Sequence, residues 1–126
     1  MSRTTILLGI LFGLLGVGIG AFGAHGLKDT LAATGRAANF ETGAQYQMYH
    51  ALALIGLGLW QARSERVARA KIATWCFAAG ILLFSGSLYV LAVTGVTTWG
   101  AVTPFGGSFL IAGWAVWGYA VLREPS

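Results

Sequence analysis

At 126 residues the chain has the length of one domain. Hydrophobic residues make up 56%, charged residues only 10%, and the mean hydropathy is +0.72, whereas a soluble domain carries about a quarter charged residues. So few charges cannot cover a surface facing water, which excludes an ordinary soluble domain and leaves lipid as the solvent for most of the surface.

Charge-free stretches mark the predicted spans. No Asp, Glu, Lys or Arg lies between Arg3 and Lys28, from Thr42 to Ala62, or over the fifty-one residues from Ile72 to Leu122. A helix rising 1.5 Å per residue needs about 20 residues to cross roughly 30 Å of hydrocarbon. The first two stretches hold one span each, and the third holds two if it is broken.

The first span is predicted near Thr4–Ala24. Its apolar run exceeds a signal-peptide core, so it reads as an uncleaved span. Gly9, Gly13, Gly16, Gly20 and Gly23 recur at alternating spacings of four and three. That register keeps them on one face, where close backbone approach supplies packing that lipid-exposed apolar surface does not. His25 follows, and Leu27, Leu31 and Thr34 then share a face beside Lys28 and Asp29. This pattern predicts a short amphipathic helix at the membrane surface, with Arg36 to Gly43 extending the next helix above the bilayer. The second span, near Ala44–Ala62, opens with Gln45, Tyr46, Gln47, Tyr49 and His50.

Arg63, Arg66, Arg69 and Lys71 form a basic link to the third span, near Ile72–Val93. That span carries Ser85, Ser87 and Tyr89. Cys76 is the lone cysteine, so no internal disulfide forms and a small apolar filler role is expected. The segment Thr94 to Gly100 is rich in β-branched residues and glycine, and Pro104 suits a first helical turn. The fourth span is placed near Pro104–Leu122. The predicted architecture is thus an all-α, four-helix transmembrane bundle forming a single domain over residues 1–126.

Lys and Arg orient it. Arg3, the four basic residues of the link and Arg123 flank one side, while Lys28 and Arg36 flank the other. Six against two predicts both termini on the cytoplasmic side of a plasma (inner) membrane. The net charge of +4 is then a topology signal with weak attraction to anionic lipid, and no nucleic-acid partner is expected.

This orientation gathers polarity in the outer half, with the inner ends nearly bare apart from the basic link. His25, Tyr46, Gln47, His50 and Tyr89 are the candidate binding residues, and Tyr46, Gln47 and His50 are expected to share a helix face. An ionisable group at that depth is a functional candidate by default, and His is suited to proton handling or ligation near neutral pH. Neutral His, Gln and Tyr also bond across helices with no ligand at all, and both readings stand on sequence alone. No metal or cofactor motif is present: two histidines lack patterned further ligands. Ser85, Ser87 and Ser108 lack a patterned base and acid, so no catalytic residue is assigned.

Several of these segments carry a resemblance. Gly20-Ala21-Phe22-Gly23-Ala24-His25-Gly26-Leu27, Phe40-Glu41-Thr42-Gly43 with Tyr46-Gln47-Met48-Tyr49-His50-Ala51-Leu52, Gly86-Ser87-Leu88-Tyr89 and Thr103-Pro104-Phe105-Gly106-Gly107 with Gly113-Trp114 follow in one order. Over nearly its whole length the chain resembles domain-of-unknown-function family 423, the YgdD-like small inner-membrane proteins. The resemblance implies a four-span membrane protein without an established activity, and it carries over no catalytic residues.

The expected function is a non-enzymatic membrane protein whose outer pocket binds a lipid, a small apolar molecule or a partner helix. An oligomeric small transporter or channel, and a membrane enzyme using His50, are the alternatives. Expected partners are membrane lipids, with a second copy or another membrane protein.

Overall fold

Glycine, proline and charge set the helix ends. The computed structural model describes residues 1–64 and 67–124, with only the backbone of 67–69. Glu65 and Arg66 of the basic link therefore lie outside the described residues, as does the side chain of Arg69. The described residues form five α-helices: α1 (Ser2–His25), α2 (Lys28–Thr34), α3 (Ala37–Gln61), α4 (Val67–Thr94) and α5 (Thr103–Leu122), with a 3₁₀ turn at Thr97–Ala101. No strand occurs among them.

Two helices stop at glycines in the left-handed region. Gly35 closes α2 at φ 69° and Gly95 closes α4 at φ 71°, a conformation that costs other residues a clash with their own Cβ. Pro104 sits in the first turn of α5, where its missing N–H is no loss. Between residues 26 and 43 the chain is helical on both sides of Gly35, forming the short α2 and an α3 that begins seven residues before Ala44.

The long helices pack in chain order, α1 on α3, α3 on α4 and α4 on α5. Leu54, Leu57 and Phe77 are fully buried between them. A smaller cluster of Leu31, Phe40 and Ala92 seats α2, and the Thr34 hydroxyl donates to the Ala92 carbonyl at 2.7 Å. At the opposite end the Thr5 and Thr74 hydroxyls lie 2.8 Å apart and the Ser64 hydroxyl donates to Glu124 at 2.6 Å. The start of α1, the α3–α4 link and the end of α5 therefore share one end of the stack, the link end. α2 and the 3₁₀ turn mark the other.

Some glycines allow this approach and others do not take part. A Cβ at Gly9 would lie 2.7 Å from the Ala51 carbonyl oxygen, and one at Gly16 2.6 Å from Met48 Sδ, whereas Gly20 faces open space. Gly9→Ala is expected to cost about 1–2 kcal/mol by forcing α1 off α3, while Gly20→Ala leaves stability unchanged. Denaturant titration of the two purified variants checks this, and equal midpoints would remove the close approach as a cause.

Ser2–His25, Ala70–Thr94 and Thr97–Leu122 are long and apolar enough to cross a membrane. α3 matches them in length, but Glu41, Gln45, Gln47, His50 and Gln61 lower its apolar content.

Candidate functional site

Several polar side chains of α3 and α4 toward the α2 end bond to neighbouring helices. Gln47 is 3% exposed. Its Nε2 donates to the Phe12 carbonyl of α1 at 2.8 Å, and its Oε1 accepts from the Tyr89 hydroxyl of α4 at 2.6 Å. One side chain on α3 thus clasps helices on both sides. The Ser85 hydroxyl donates to the Gly43 carbonyl at 2.7 Å, and the Ser87 and Thr103 hydroxyls share a bond of 2.6 Å.

The expected common face of Tyr46, Gln47 and His50 divides. Tyr46 and His50, four residues apart, turn toward α5 and Phe84 of α4, while Gln47, one residue or about 100° round the helix, turns toward α1 and Tyr89 of α4. The structure thus joins Gln47 to Tyr89 and Tyr46 to His50, in two separate places. His25 belongs to neither: it is exposed at the end of α1. Gly23 of α1 packs on Phe40, ten residues before His50, so the two histidines are separated by about 15 Å along the helix axis. They share no ligand sphere.

His50 is 5% exposed and both its ring nitrogens are occupied. Trp114 of α5 points its indole N–H at His50 Nε2 across 3.0 Å. An indole nitrogen only donates, so Nε2 accepts. Nδ1, 2.8 Å from the Tyr46 carbonyl, then carries the ring proton and donates it. This donor–acceptor fit is the neutral Nδ1–H tautomer, and a second proton on Nε2 would set two donors against each other. Aromatic rings surround the pair: Phe77 lies 5.6 Å from His50 and 5.2 Å from Trp114 between centroids, and Tyr46 lies 4.9 Å from Phe84.

Around this pair lies a groove of about 400 Å³ between α3 and α5, lined by Tyr46, His50, Phe84, Gly107, Leu110, Ile111 and Trp114. Ligand sites commonly fall in this size range, mostly apolar with a few placed polar groups. A larger hollow of about 560 Å³ between α1 and α3 is lined by Gly9, Gly13, Gly18, Met48 and aliphatic side chains. It presents no side-chain hydrogen-bonding group to fix a ligand's orientation, so the α3–α5 groove is the better candidate.

Trp114 is not among the candidate binding residues that the sequence suggests. Its place in the Gly113-Trp114 segment was the available signal. A second set also contradicts the expectation of bare inner ends. At the link end the Gln61 amide nitrogen donates to Thr74 Oγ1 at 3.0 Å, beside the Thr5–Thr74 pair, with Thr5 and Thr74 fully buried. Gln61 Oε1 and Trp117 Nε1 are buried there without a partner among the described residues. The bonded residues Thr5, Gln61 and Thr74 stand on three different helices, so spacing along the chain gives no sign that they meet.

Similar sequences are named as membrane proteins. The family described as Protein of unknown function (DUF423) matches residues 19–107. UPF0382 membrane protein YwdK of Bacillus subtilis is 44% identical over 89% of the chain and 90% of its own length. A UPF0382 membrane protein of Haemophilus influenzae is 38% identical over 100% of the chain and 99% of its own. UPF0382 inner membrane protein YgdD of Escherichia coli is 38% identical over 91% and 86% respectively. No solved structure matches. The matched stretch contains His25, Gln47, His50 and Tyr89 and the opening of α5, and the chain belongs to the DUF423 family, whose relatives here are named as membrane proteins.

Proposed function

We propose that this is a non-enzymatic, four-span protein of the plasma (inner) membrane that holds the chain of a membrane lipid in the α3–α5 groove. The observation that carries the reading is that groove: about 400 Å³, apolar, and fixed at its back by the Trp114–His50 bond.

Two features support four spans. α3 lies antiparallel to α1, with Gly58 against Ser2 and Ile6 and Gly9 against Ala51, so it returns across the same thickness that α1 crosses. Its polar groups at Gln47, His50 and Gln61 are buried and turned to protein, which is how polar side chains are tolerated in lipid. The link end carries Arg3, Arg63, Lys71 and Arg123 among its described residues, and the positive-inside bias makes it cytoplasmic. Glycine close approach then does the packing that the hydrophobic effect does in water.

A role for His50 as acid or base finds no support in this geometry. A general base needs a free lone pair within reach of the proton it takes, and Nε2 is already an acceptor for Trp114.

Ile111 is exposed on the groove wall. Ile111→Trp fills the groove and is expected to lower retention of co-purified phospholipid about ten-fold, in line with 1–3 kcal/mol for overpacking. Native mass spectrometry of the purified protein reads this directly. Leu14→Trp, in the α1–α3 hollow, is expected to keep the lipid. Loss in Leu14→Trp and retention in Ile111→Trp overturns the assignment.

A further inference from the structure

The groove contains one polar group with no task inside the protein. The Tyr46 hydroxyl makes no hydrogen bond among the described residues, and the residue is 40% exposed. Its ring is nevertheless held, 4.9 Å from Phe84 and 5.6 Å from Tyr49 between centroids, and its carbonyl is tied to His50. Every other hydrogen-bonding side chain that lines the groove is engaged: His50 and Trp114 with each other. A rigid ring carrying a free donor is what a recognition contact requires, whereas a ring serving only to pack needs no hydroxyl.

Position narrows the acceptor. Side chains on an α-helix lean toward its N-terminus, so the phenol reaches from the groove toward the α2 end. Tyr46 lies in the first turn of the predicted span starting at Ala44, the level where the hydrocarbon core gives way to the headgroup region. Glycerolipids carry their ester carbonyls at that level. Below it the groove wall runs from Gly107 to Trp114, about 10 Å along α5, in the direction an acyl chain takes from its ester. We propose that Tyr46 donates to the ester carbonyl of a glycerolipid whose acyl chain lies against Leu110, Ile111 and Trp114. The inference rests on the groove reading and adds the chemical class of its ligand. Hydrocarbon chains without a carbonyl at that level, ether lipids included, fill the groove but leave the donor unpaired.

Competition between diacyl and dialkyl phosphatidylglycerol of equal chain length, in nanodiscs with native mass spectrometry as readout, tests it. The wild type is expected to prefer the ester lipid about three- to ten-fold, the range of one neutral hydrogen bond. Tyr46→Phe keeps the ring and its contacts and is expected to bind both lipids equally. Ile111→Trp is expected to lose both. No ester preference in the wild type, or an unchanged preference in Tyr46→Phe, overturns the carbonyl contact. If Ile111→Trp keeps both lipids, the groove reading itself fails, and the carbonyl contact fails with it.

Discussion

Phe77→Ala is expected to be the most damaging single substitution, lowering stability by about 3–5 kcal/mol. Phe77 is fully buried and forms the floor on which three helices meet. Its ring lies 5.6 Å from His50, 5.2 Å from Trp114 and 6.4 Å from Trp117 between centroids. A Cβ at Gly113 would come within 2.7 Å of it, so α5 rides directly on its edge. In lipid the cost arises from lost packing and the void left behind, because an apolar side chain gains little by leaving one apolar solvent for another. His50 and Trp114 are tied to each other and cannot both swing in to fill the space. Phe77→Leu, which keeps most of the volume, is expected to cost under about 1.5 kcal/mol. Reversible unfolding in mixed detergent micelles would measure both, and a Phe77→Ala protein as stable as the wild type would mean that α5 does not depend on this contact.

Gln47→Leu comes next, at about 2–4 kcal/mol. The substitution preserves bulk but removes the donor to the Phe12 carbonyl and the acceptor for Tyr89, leaving the half-buried phenol hydroxyl with Ser85 as its remaining side-chain partner. The magnitude sits above the average of about 0.6 kcal/mol for one interhelical bond in a membrane protein, because two bonds are lost from one buried position. Tyr89→Phe alone removes one bond and leaves the amide half satisfied. The double variant is therefore expected to be more stable than the sum of the two losses implies, since the Tyr89–Gln47 bond is removed by either substitution and can be lost only once. Additivity to within about 0.3–0.5 kcal/mol would show that the residues act independently and that no clasp exists.

Local order was legible wherever charge, glycine or proline punctuates the chain. The predicted boundaries at Ala24, Ala62, Val93 and Leu122 each fall within one residue of an observed helix end at His25, Gln61, Thr94 and Leu122. The start of α3 was less sharply marked, because Glu41 breaks the apolar run without breaking the helix. Partnership was harder. Helical spacing says that Tyr46 and His50 share a face, and they do, but it does not say which helix lies opposite. Gln47 faces α1 and α4 instead, and Trp114 joins the site from α5, more than sixty residues further along the chain. The Thr5, Gln61 and Thr74 set was hidden for the same cause: its three members stand on three helices, and only tertiary packing gives them a common location.

The chain-order packing of the long helices bears on biogenesis. Each major contact joins a helix to the one just before it, with only α2 and the 3₁₀ turn between. A nascent helix therefore meets its chief partner as soon as it emerges, and no early segment must wait for the last one before its main surface is covered. Short separations along the chain make such contacts quick to close, so Gln47, whose amide nitrogen already meets α1, waits only for Tyr89 of α4 to complete its second bond.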